Sequence, residues 1–577
     1  MTPLLQINPG LWLVAAGLLC FALPRVLRKW VMVGAPVVAG ALVWTTLQAF
    51  PDGHIAGQLD FGGFALITYR LDALSRVWAL VFCLAAFLNG LYSWHERAPL
   101  SDGMALIYSG AALAAVCVGD LLSLFVFWEL TVLSSVFLVW AGGPRSWRAG
   151  LRYMAWHIVS GVLLLAGAVM QVGATGDLVF AATSLAAPGA WLLLLGMGIK
   201  AGFRLLHMWI ADAYPKASVT GTVVLSAFTT KLAVYALARS FAGEPLLVAV
   251  GATMAVFPVF LAFAENDLRR TLAYALNSQL GFMVCGVGIG TGLALNGVAA
   301  HAAASAIYQG LLFMGVGAVL HRVGTAKASD LGGLFRSMPV TAALTALGGA
   351  SIAALPLFSG FVTKSMILSA ALYEHHYAAL GALIFASAGA VLHTTLKVPL
   401  AAFFGADRGV RPPEAPLNMR VAMGLAALVC VGVALPGVYP LLYGLLPAPE
   451  YGYAPYTPDH IVFQLQLVLA AALVFGLFAR YLARYGEGVW QRATLLDADV
   501  LYRRLGLAAA RWSGAMLDRL GAGLESLGER ALGGAGRRLY ALFSPVGGLA
   551  AATPVNLPGV AVAAALAVAI LIALLAG

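Results

Sequence analysis

Two apolar stretches, WLLLLGMGIKAGF at residues 191–203 and VLSAFTTKLAVYAL at residues 224–237, each contain one charged residue, Lys200 and Lys231. Stretches this apolar, set in a chain with many others like them, predict helices that cross a membrane. A charged group at the centre of a bilayer costs at least about 2.5 kcal/mol. Such groups usually face a protein interior or a water-filled path, where they relay ions or protons. The sequence therefore predicts a helical membrane protein with titratable groups inside it.

The composition points the same way. Of the 577 residues, 61% are hydrophobic and 10% are charged, and the mean hydropathy is +0.90, which excludes a soluble globular domain. Continuous rather than alternating apolar runs argue against a β-barrel. The net charge of +10 is explained by basic loops on one side of a membrane, so no nucleic-acid partner is expected. The five cysteines form no CxxC pair, and no metal, iron–sulfur centre or other cofactor is predicted.

The fold class predicted is an all-α polytopic membrane protein with about 14–16 transmembrane helices. The first apolar segment has no basic n-region, so we interpret it as a retained helix rather than a signal peptide. The predicted spans are 10–24, 31–50, 73–93, 104–119, 121–142, 150–173, 186–210, 221–241, 246–264, 270–291, 294–320, 339–372, 378–404, 418–445, 460–483 and 557–576.

Basic residues concentrate in the loops that follow odd-numbered spans. Examples are Arg25, Arg28 and Lys29 after the first span and Arg408 and Arg411 after the thirteenth. The positive-inside rule then places the N-terminus outside and these loops in the cytoplasm. The predicted location is the bacterial cytoplasmic (inner) membrane.

Two spans are predicted to be discontinuous. In the seventh, Lys200 is followed by AGFRLLHMW, and the twelfth is interrupted by LPLFSG at residues 355–360. Broken helices at membrane depth line cavities, and transporters often carry them at corresponding positions of two inverted repeats. The predicted domains are N-terminal helices 1–103, repeats 104–241 and 246–404, C-terminal helices 405–489, an amphipathic lateral segment 490–548 and a terminal anchor 549–577.

The lateral segment is charged, with apolar residues recurring at helical spacing. Two interpretations remain open. The segment is either an interfacial helix lying on the lipid bilayer or a strut across this protein or a neighbouring subunit.

Glu129, in LLSLFVFWELTVLSS at residues 121–135, is a natural ion-pair partner for Lys200. In a low dielectric each charge stabilises the other. Separating the two would leave Lys200 without a counter-ion and favour release of its proton, which makes the pair a proton switch. The alternative is a static pair that only locks two helices together.

Five further polar residues lie in apolar stretches: Lys231, His207, His301, His393 and Lys397. His207 follows Lys200 by seven residues, about two helical turns, so it is expected on a similar face. His393 and Lys397 are spaced as an i, i+4 pair. Histidines here are either proton shuttles or satisfied core residues. With Glu129 and Lys200 they form the candidate site, a polar chain linking two half-channels. Lys364, after the second break, is expected to be structural or gating.

Four stretches together resemble one family. They are residues 200–239 (KAGFRLLHMWIADAYPKASVTGTVVLSAFTTKLAVYALAR), 119–130 (GDLLSLFVFWEL), 265–283 (ENDLRRTLAYALNSQLGFM) and 355–368 (LPLFSGFVTKSMIL). They resemble the antiporter-like subunits of respiratory complex I, of Mrp-type sodium/proton antiporters and of membrane-bound hydrogenases. The resemblance covers about residues 70–405 and is strongest to the D subunits of the Mrp antiporters.

The resemblance implies roles for particular residues. Glu129 and Lys200 become the coupling pair, Lys231 a central relay residue and Lys397 the exit-side lysine. The chain departs from the family pattern where prolines usually flank the broken seventh helix, since it has Leu205 and Ala211 there. It also has Ser305 and Gln309 where the family commonly has a histidine and a lysine.

The resemblance implies a proton-translocating subunit of a multisubunit cation/proton antiporter. Its partners would be other membrane subunits, protons, sodium and the lipid bilayer. Three alternatives stay open: a proton-pumping arm of a redox complex of complex I or hydrogenase type, an energy-coupling subunit for inorganic-carbon uptake, and a structural scaffold. The chain carries no redox motif, so any enzymatic chemistry of an oxidoreductase or hydrogenase complex would belong to its partners.

Overall fold

The computed structural model describes residues 3–485 and 511–523, together with Asp497, Ala508, Ser526 and Ala541. Eleven helices in this part of the chain are long and apolar enough to cross a membrane. Four shorter apolar helices accompany them. The prediction of an all-α, multi-pass membrane protein is therefore confirmed.

The chain divides into two compact units, residues 1–495 and 496–577. In the second unit, residues 511–523 are helical, in agreement with the predicted lateral helix, and Trp512, Met516 and Leu520 recur there at four-residue spacing. Apart from isolated positions, the rest of the predicted lateral segment 490–548 and the whole predicted anchor 549–577 lie outside the described residues.

The first half of the bundle, through the first predicted repeat, contains ten helices and one β-hairpin. They are α1 (Pro9–Leu19), α2 (Arg25–Ala49), β1 (His54–Phe61), β2 (Phe64–Leu71), α3 (Ser75–Tyr92), α4 (Pro99–Val116), α5 (Leu121–Trp140), α6 (Trp147–Thr175), α7 (Ala190–Ala201), α8 (Met208–Ala213), α9 (Val219–Ala227) and α10 (Thr229–Ser240).

The second half continues the bundle with α11 (Pro245–Ala264), α12 (Leu268–Ile289), α13 (Gly292–Val323), α14 (Pro339–Ile352), α15 (Ser359–Tyr373), α16 (Tyr377–Phe404), α17 (Leu417–Gly432), α18 (Tyr439–Tyr443) and α19 (Pro458–Tyr485). Helix α16 contains two π-helical segments, Val391–Leu396 and Leu400–Phe404.

The helices at the centre of the bundle are buried on all sides. The α9–α10 span and α12 have no exposed residue in their most apolar window, whereas α2 and α19 are mostly exposed. A helix that is apolar all round and buried all round needs protein rather than lipid as its neighbour. Lys231 lies on the α9–α10 span, and His301 lies on α13, whose most apolar window is 94% buried.

The hairpin β1–β2 was not predicted. The two strands pair antiparallel from His54–Leu71 to Phe61–Phe64. The turn is Gly62–Gly63, with φ of +58° and +87°, as a two-residue type I′ turn requires. Alternating polarity around a Gly-Gly pair was the available signal.

Arg28 and Lys29, expected in a loop, instead lie in the first turn of α2 and are buried. Both bond to Asp102 on α4, at 2.8 Å from Arg28 Nε and 2.6 Å from Lys29 Nζ. Two cations sharing one carboxylate are partly compensated, and they fix α2 against α4.

The two predicted helix breaks are present. Helix α7 ends at Ala201 and α8 begins at Met208, with Leu205 at φ +74° in the break. Helix α14 ends at Ile352 and α15 begins at Ser359, with Ala354 and Leu357 at φ +56° and +71°.

A left-handed conformation costs a non-glycine residue about 1–3 kcal/mol, and it persists only where the surroundings enforce it. Both interruptions are therefore specified by the packing around them. A third break, at Phe228 between α9 and α10, was not predicted, because VVLSAFTTKLAV contains neither proline nor glycine.

Candidate proton-relay site

Lys200 lies in the last turn of α7, fully buried. Its Nζ donates to the carbonyl of Trp128 at 2.6 Å and to Thr131 Oγ1 at 3.0 Å, both on α5. The ammonium also lies 4.2 Å from the centre of the Trp128 ring, a cation–π contact. Three partners on one helix thus hold the ammonium in an environment without bulk water.

The predicted Glu129–Lys200 ion pair is not formed as a direct contact among the described residues. Glu129 follows Trp128 in the chain, but its side chain leaves α5 toward α6, where it occupies the space over Gly161. Its Oε1 atom is buried without a hydrogen-bond partner. The carboxylate still acts on Lys200 electrostatically. Glu129 and Lys200 therefore interact electrostatically without a direct ion-pair contact.

A chain of hydrogen bonds through α6 to α7 also fixes the position of the Trp128 ring. Its Nε1 donates to Ser160 Oγ at 3.0 Å, and Ser160 Oγ donates to the Gly196 carbonyl at 2.6 Å. This chain ties α5, α6 and α7 together beside Lys200. Sequence reasoning missed Trp128, Thr131 and Ser160, since none of them is a charged residue in an apolar run.

His157 is fully buried between Tyr153 and Trp209, at ring distances of 4.2 Å and 4.4 Å. Neither ring nitrogen has a hydrogen-bond partner within the described part of the chain. Trp209 Nε1 donates to Ile199 O at 2.9 Å, next to Lys200. His157 therefore lies in the same buried region as Lys200 and within electrostatic range of its ammonium group.

The structure separates His207 from Lys200. The seven-residue spacing places two residues on one face only if the helix continues, and α7 ends at Ala201. His207 instead precedes α8 inside the break, buried, with its ring 6.2 Å from that of Phe257 on α11. The prediction that it shares the face of Lys200 is wrong.

Lys231 lies just after the third break, fully buried, with its Nζ 2.7 Å from the carbonyl of Ser226. The break at Phe228 releases that carbonyl from its helical hydrogen bond. Trp78 Nε1 donates to the Lys231 carbonyl at 3.1 Å and fixes the backbone. No carboxylate forms an ion pair with Lys231 among the described residues.

His301 continues the line toward the second break. Its Nδ1 is 3.1 Å from Thr363 Oγ1 on α15, and its Nε2 is 3.4 Å from Tyr308 OH. His301 lies within electrostatic range of both Lys231 and Lys364. It therefore links the two lysines that follow a helix break.

Lys364 is completely buried, which the sequence did not predict for a residue expected to be structural or gating. Its Nζ donates to Ile352 O at 2.9 Å, the last residue of α14 before the break, and lies 4.9 Å from the Phe282 ring centre. A cavity of about 460 Å³ between α15, α16 and α19 reaches it, with polar lining from Lys364, Ser365, Ser369, Asp459, His460 and Gln464.

Lys397 bonds to the end of α11. Its Nζ donates to the carbonyls of Ala262 and Phe263 at 2.9 Å and of Glu265 at 2.5 Å. Glu265 belongs to the loop that precedes Arg269 and Arg270. Under the predicted orientation that loop is cytoplasmic, so Lys397 lies toward the cytoplasmic side rather than at an outward exit.

His393 lies in the first π-helical segment of α16, which changes its spacing to Lys397 from that of an α-helix. Its Nδ1 is 2.8 Å from Thr394 Oγ1, and it lies within electrostatic range of Lys397 and Lys364. His393 is thus close enough to interact with both Lys364 and Lys397.

The two family departures in the centre of the bundle are also buried. Ser305 Oγ donates to Ala302 O at 3.1 Å, which leaves it turned back onto its own helix. Neither the side-chain nitrogen nor the side-chain oxygen of Gln309 has a hydrogen-bond partner among the described residues. Ser305 and Gln309 therefore keep this part of α13 polar but uncharged, and His301 is the titratable side chain there.

Three of the five buried lysines among the described residues bind backbone carbonyls in the same way. Lys231, Lys364 and Lys397 each cap carbonyls at the C-terminal end of a helix other than their own. Such ends carry partial negative charge and stabilise a cation. The ammonium groups of Lys231 and Lys364 can therefore be stabilised in the membrane by backbone carbonyls. Among the described residues, no group of three or more His, Cys, Asp or Glu could hold a metal ion.

Comparison with known proteins matches this architecture to a family. Residues 118–389 match the family model described as NADH:quinone oxidoreductase/Mrp antiporter, TM. NADH-quinone oxidoreductase subunit N of Desulforudis audaxviator (strain MP104C) is 30% identical over 336 residues, which cover 54% of this chain and 67% of that protein. The chain belongs to the NADH:quinone oxidoreductase/Mrp antiporter family.

Other members of the family align over more of the chain. The D subunit of the Na(+)/H(+) antiporter of Bacillus subtilis (strain 168) is 27% identical over 438 residues, 71% of this chain and 86% of that protein. A chain in the structure of the Mrp complex from Dietzia sp. DQ12-45-1b superposes with a TM-score of 0.71 at 24% identity, covering 80% of this chain and all of the other. That solved chain shares the fold and belongs to a multisubunit membrane complex.

Proposed function

We propose that this protein is the proton-translocating subunit of a multisubunit cation/proton antiporter, similar to the D subunits of the Mrp antiporters. The observation that supports this most is the series of buried titratable groups on α7, α10, α13 and α15, from Lys200 through Lys231 and His301 to Lys364. A membrane protein does not retain four such groups without a use, because each costs at least a few kcal/mol. Their spacing across the bundle suits a proton relay.

In the proposed relay, protons enter beside Glu129 and Lys200 and pass to Lys231 and His301. His301 passes them to Lys364 through the Thr363 hydroxyl. Protons then leave through the cavity between α15, α16 and α19, whose mouth carries Asp459 and His460. This assigns the exit to Lys364 and not, as the resemblance implied, to Lys397.

His393 and Lys397 form a branch of the proposed relay toward the cytoplasm. His207, in the first break, is proposed as a residue at the entrance rather than a carrier. The subunit works in the bacterial inner membrane with its N-terminus outside, beside other membrane subunits. Sodium is the first cation to test, since the relatives named above include a Na(+)/H(+) antiporter.

The test is Lys231→Ala in the complete complex, purified from native membranes and reconstituted in vesicles. We expect coupled proton transport, followed as the pH change after a sodium pulse, to fall at least about 100-fold. Assembly should be unchanged, because Lys231 makes its side-chain bond within its own span. Lys327→Ala is the matched control, since Lys327 is exposed in a loop. Wild-type transport by Lys231→Ala would refute the relay.

A redox-driven proton pump is the second candidate, favoured by the identity to NADH-quinone oxidoreductase subunit N. Mass spectrometry of subunits that co-purify in gentle detergent separates the two. Small hydrophobic subunits without redox centres would support the antiporter. Iron–sulfur or flavin subunits would support the pump, with the same lysines driven from the other end.

A further inference from the structure

Between Lys200 and Lys231 the structure contains a buried cluster of four hydroxyl groups. They belong to Tyr108 on α4, Ser135 on α5, Tyr153 on α6 and Thr229 on α10. All four residues are almost completely buried, and none of them is charged. We call them the hydroxyl cluster. The relay as proposed does not otherwise say how a proton crosses from one lysine to the other.

The hydroxyls contact one another in sequence. Ser135 Oγ lies 2.8 Å from Tyr153 OH, and Tyr108 OH lies 2.6 Å from Thr229 Oγ1. The Tyr153 hydroxyl lies within interaction range of the Thr229 side chain, so the two pairs are neighbours. Three consecutive helices, α4, α5 and α6, and the later α10 therefore bring their hydroxyls close together.

The bonds within each pair can run in either direction, since either oxygen can donate. Buried hydroxyls more often bond to a backbone carbonyl, which fixes the direction. A string of hydroxyls that can reverse its hydrogen bonds passes a proton by accepting one and giving up its own. Ser135 Oγ also lies 3.2 Å from the Val132 carbonyl on its own helix, so its proton alternates between that carbonyl and the Tyr153 hydroxyl.

Along α5 and α10, the two ends of the cluster lie close to the residues that contact or precede the two lysines. On α5, Ser135 lies one turn after Thr131, whose hydroxyl receives the Lys200 bond. On α10, Thr229 precedes Lys231 by two residues, and the hydroxyl of the intervening Thr230 is buried without a partner among the described residues. A single bridging water at each end would complete the connection.

We propose that the hydroxyl cluster is the proton-transfer connection between Lys200 and Lys231. The proposal rests on the proposed function. The Lys200 ammonium gives one proton to the Ser135 end, each hydroxyl in turn accepts one proton and releases its own, and the neutral Lys231 amine receives the last one. No charge remains on the hydroxyls, and the hydrogen bonds reverse direction. They must rotate back before the next transfer.

The test uses Tyr153→Phe and Thr229→Val in the complete reconstituted complex. Both substitutions keep the shape of the side chain and remove its hydroxyl. We expect proton transport to fall about tenfold or more, with a larger slowing in D₂O than the wild type shows. Thr229→Ser, which keeps the hydroxyl, should restore transport.

Tyr92→Phe is the matched control. Tyr92 is equally buried, but its hydroxyl donates to Met314 O at 2.8 Å and lies outside the cluster. It should lose stability without losing transport. The proposal is overturned if Tyr153→Phe and Thr229→Val transport protons at the wild-type rate while Lys231→Ala does not. Loss of transport in Thr229→Val but equally in Thr229→Ser would also overturn it, since packing rather than the hydroxyl would then matter.

Discussion

The two halves of the bundle each contain a broken helix and a buried lysine, but they hold the lysine differently. In the first half, Lys200 precedes the break and bonds to α5, close to the carboxylate of Glu129. In the second half, Lys364 follows the break and bonds to Ile352 O, the last carbonyl of the helix before it. No acidic side chain forms an ion pair with Lys364 among the described residues.

The difference shows where an external signal can act. A carboxylate can gain a proton, turn away or respond to a neighbouring charge, so the first half can be switched. A backbone carbonyl keeps its charge and position, so the second half provides a fixed site for an ammonium group. In the proposed relay, coupling to a partner subunit would therefore act on Glu129 and Lys200, whereas Lys364 would bind and release protons at a fixed site.

The largest effect is expected for the lysines themselves. Lys364→Met should reduce coupled transport at least about 100-fold, as Lys200→Met should, because each interrupts the main path of the relay. Transport in reconstituted vesicles is the measurement, with Lys327→Ala as the exposed control. If Lys364→Met transports normally and Lys397→Met does not, the exit lies at Lys397 and the comparison of the halves is reversed.

The next largest effect is expected at Arg269, which joins the two halves of the bundle. The guanidinium of Arg269 on α12 donates to the carbonyls of Pro215, Ala217 and Ser218, in the turn that follows α8. Arg269→Ala leaves these buried carbonyls without partners, at about 1–3 kcal/mol each. We expect a lower thermal midpoint of the detergent-solubilised complex. Arg148→Ala, at an exposed position, should leave the midpoint unchanged.

A smaller effect should follow from moving Glu129 without removing it. A Cβ at Gly161 would overlap Glu129 Oε1, so Gly161→Ala must displace the carboxylate. We expect transport to change several-fold with assembly intact, since a charge that moves by a few ångströms acts differently on Lys200. Gly173→Ala on the same helix adds a Cβ in open space and should behave as wild type. Equal transport by both variants would mean that the position of Glu129 does not matter.

The smallest effect is expected on the pH dependence of stability, and it comes from His95 at the edge of the bundle, whose ring is held in the neutral form. Burial, reinforced by His321, lowers the pKa of His95, in the loop after α3, to about 4. The neutral ring accepts a hydrogen bond from Asn418 Nδ2 at 3.1 Å. Because the unfolded pKa is about 6.5, the free energy of unfolding should be highest above that pH and fall between pH 6.5 and 4. Thermal midpoints measured across this range should depend less on pH in His95→Gln.

Much of the fold followed from the sequence. The apolar runs predicted nearly every helix that the structure describes. Lys200 followed by AGFRLLHMW, and LPLFSG at residues 355–360, predicted the two large breaks. The break at Phe228 and the hairpin β1–β2 were missed. At Phe228 no proline or glycine marks the site, and the side chains of Lys231 and Tyr214 stabilise it by bonding to Ser226 O and Leu225 O.

The sequence by itself determined that the chain crosses a membrane many times and which charged residues lie inside, because burying a charge is costly wherever the helices pack. Only the tertiary structure decided what each charge contacts. Lys200 bonds to the Trp128 carbonyl and to Thr131 rather than to Glu129. Lys364 is buried, and the residue before it, Thr363, contacts His301. Hydrogen bonds act over about 3 Å, so partners depend on how distant helices meet, and apolar periodicity does not encode that meeting.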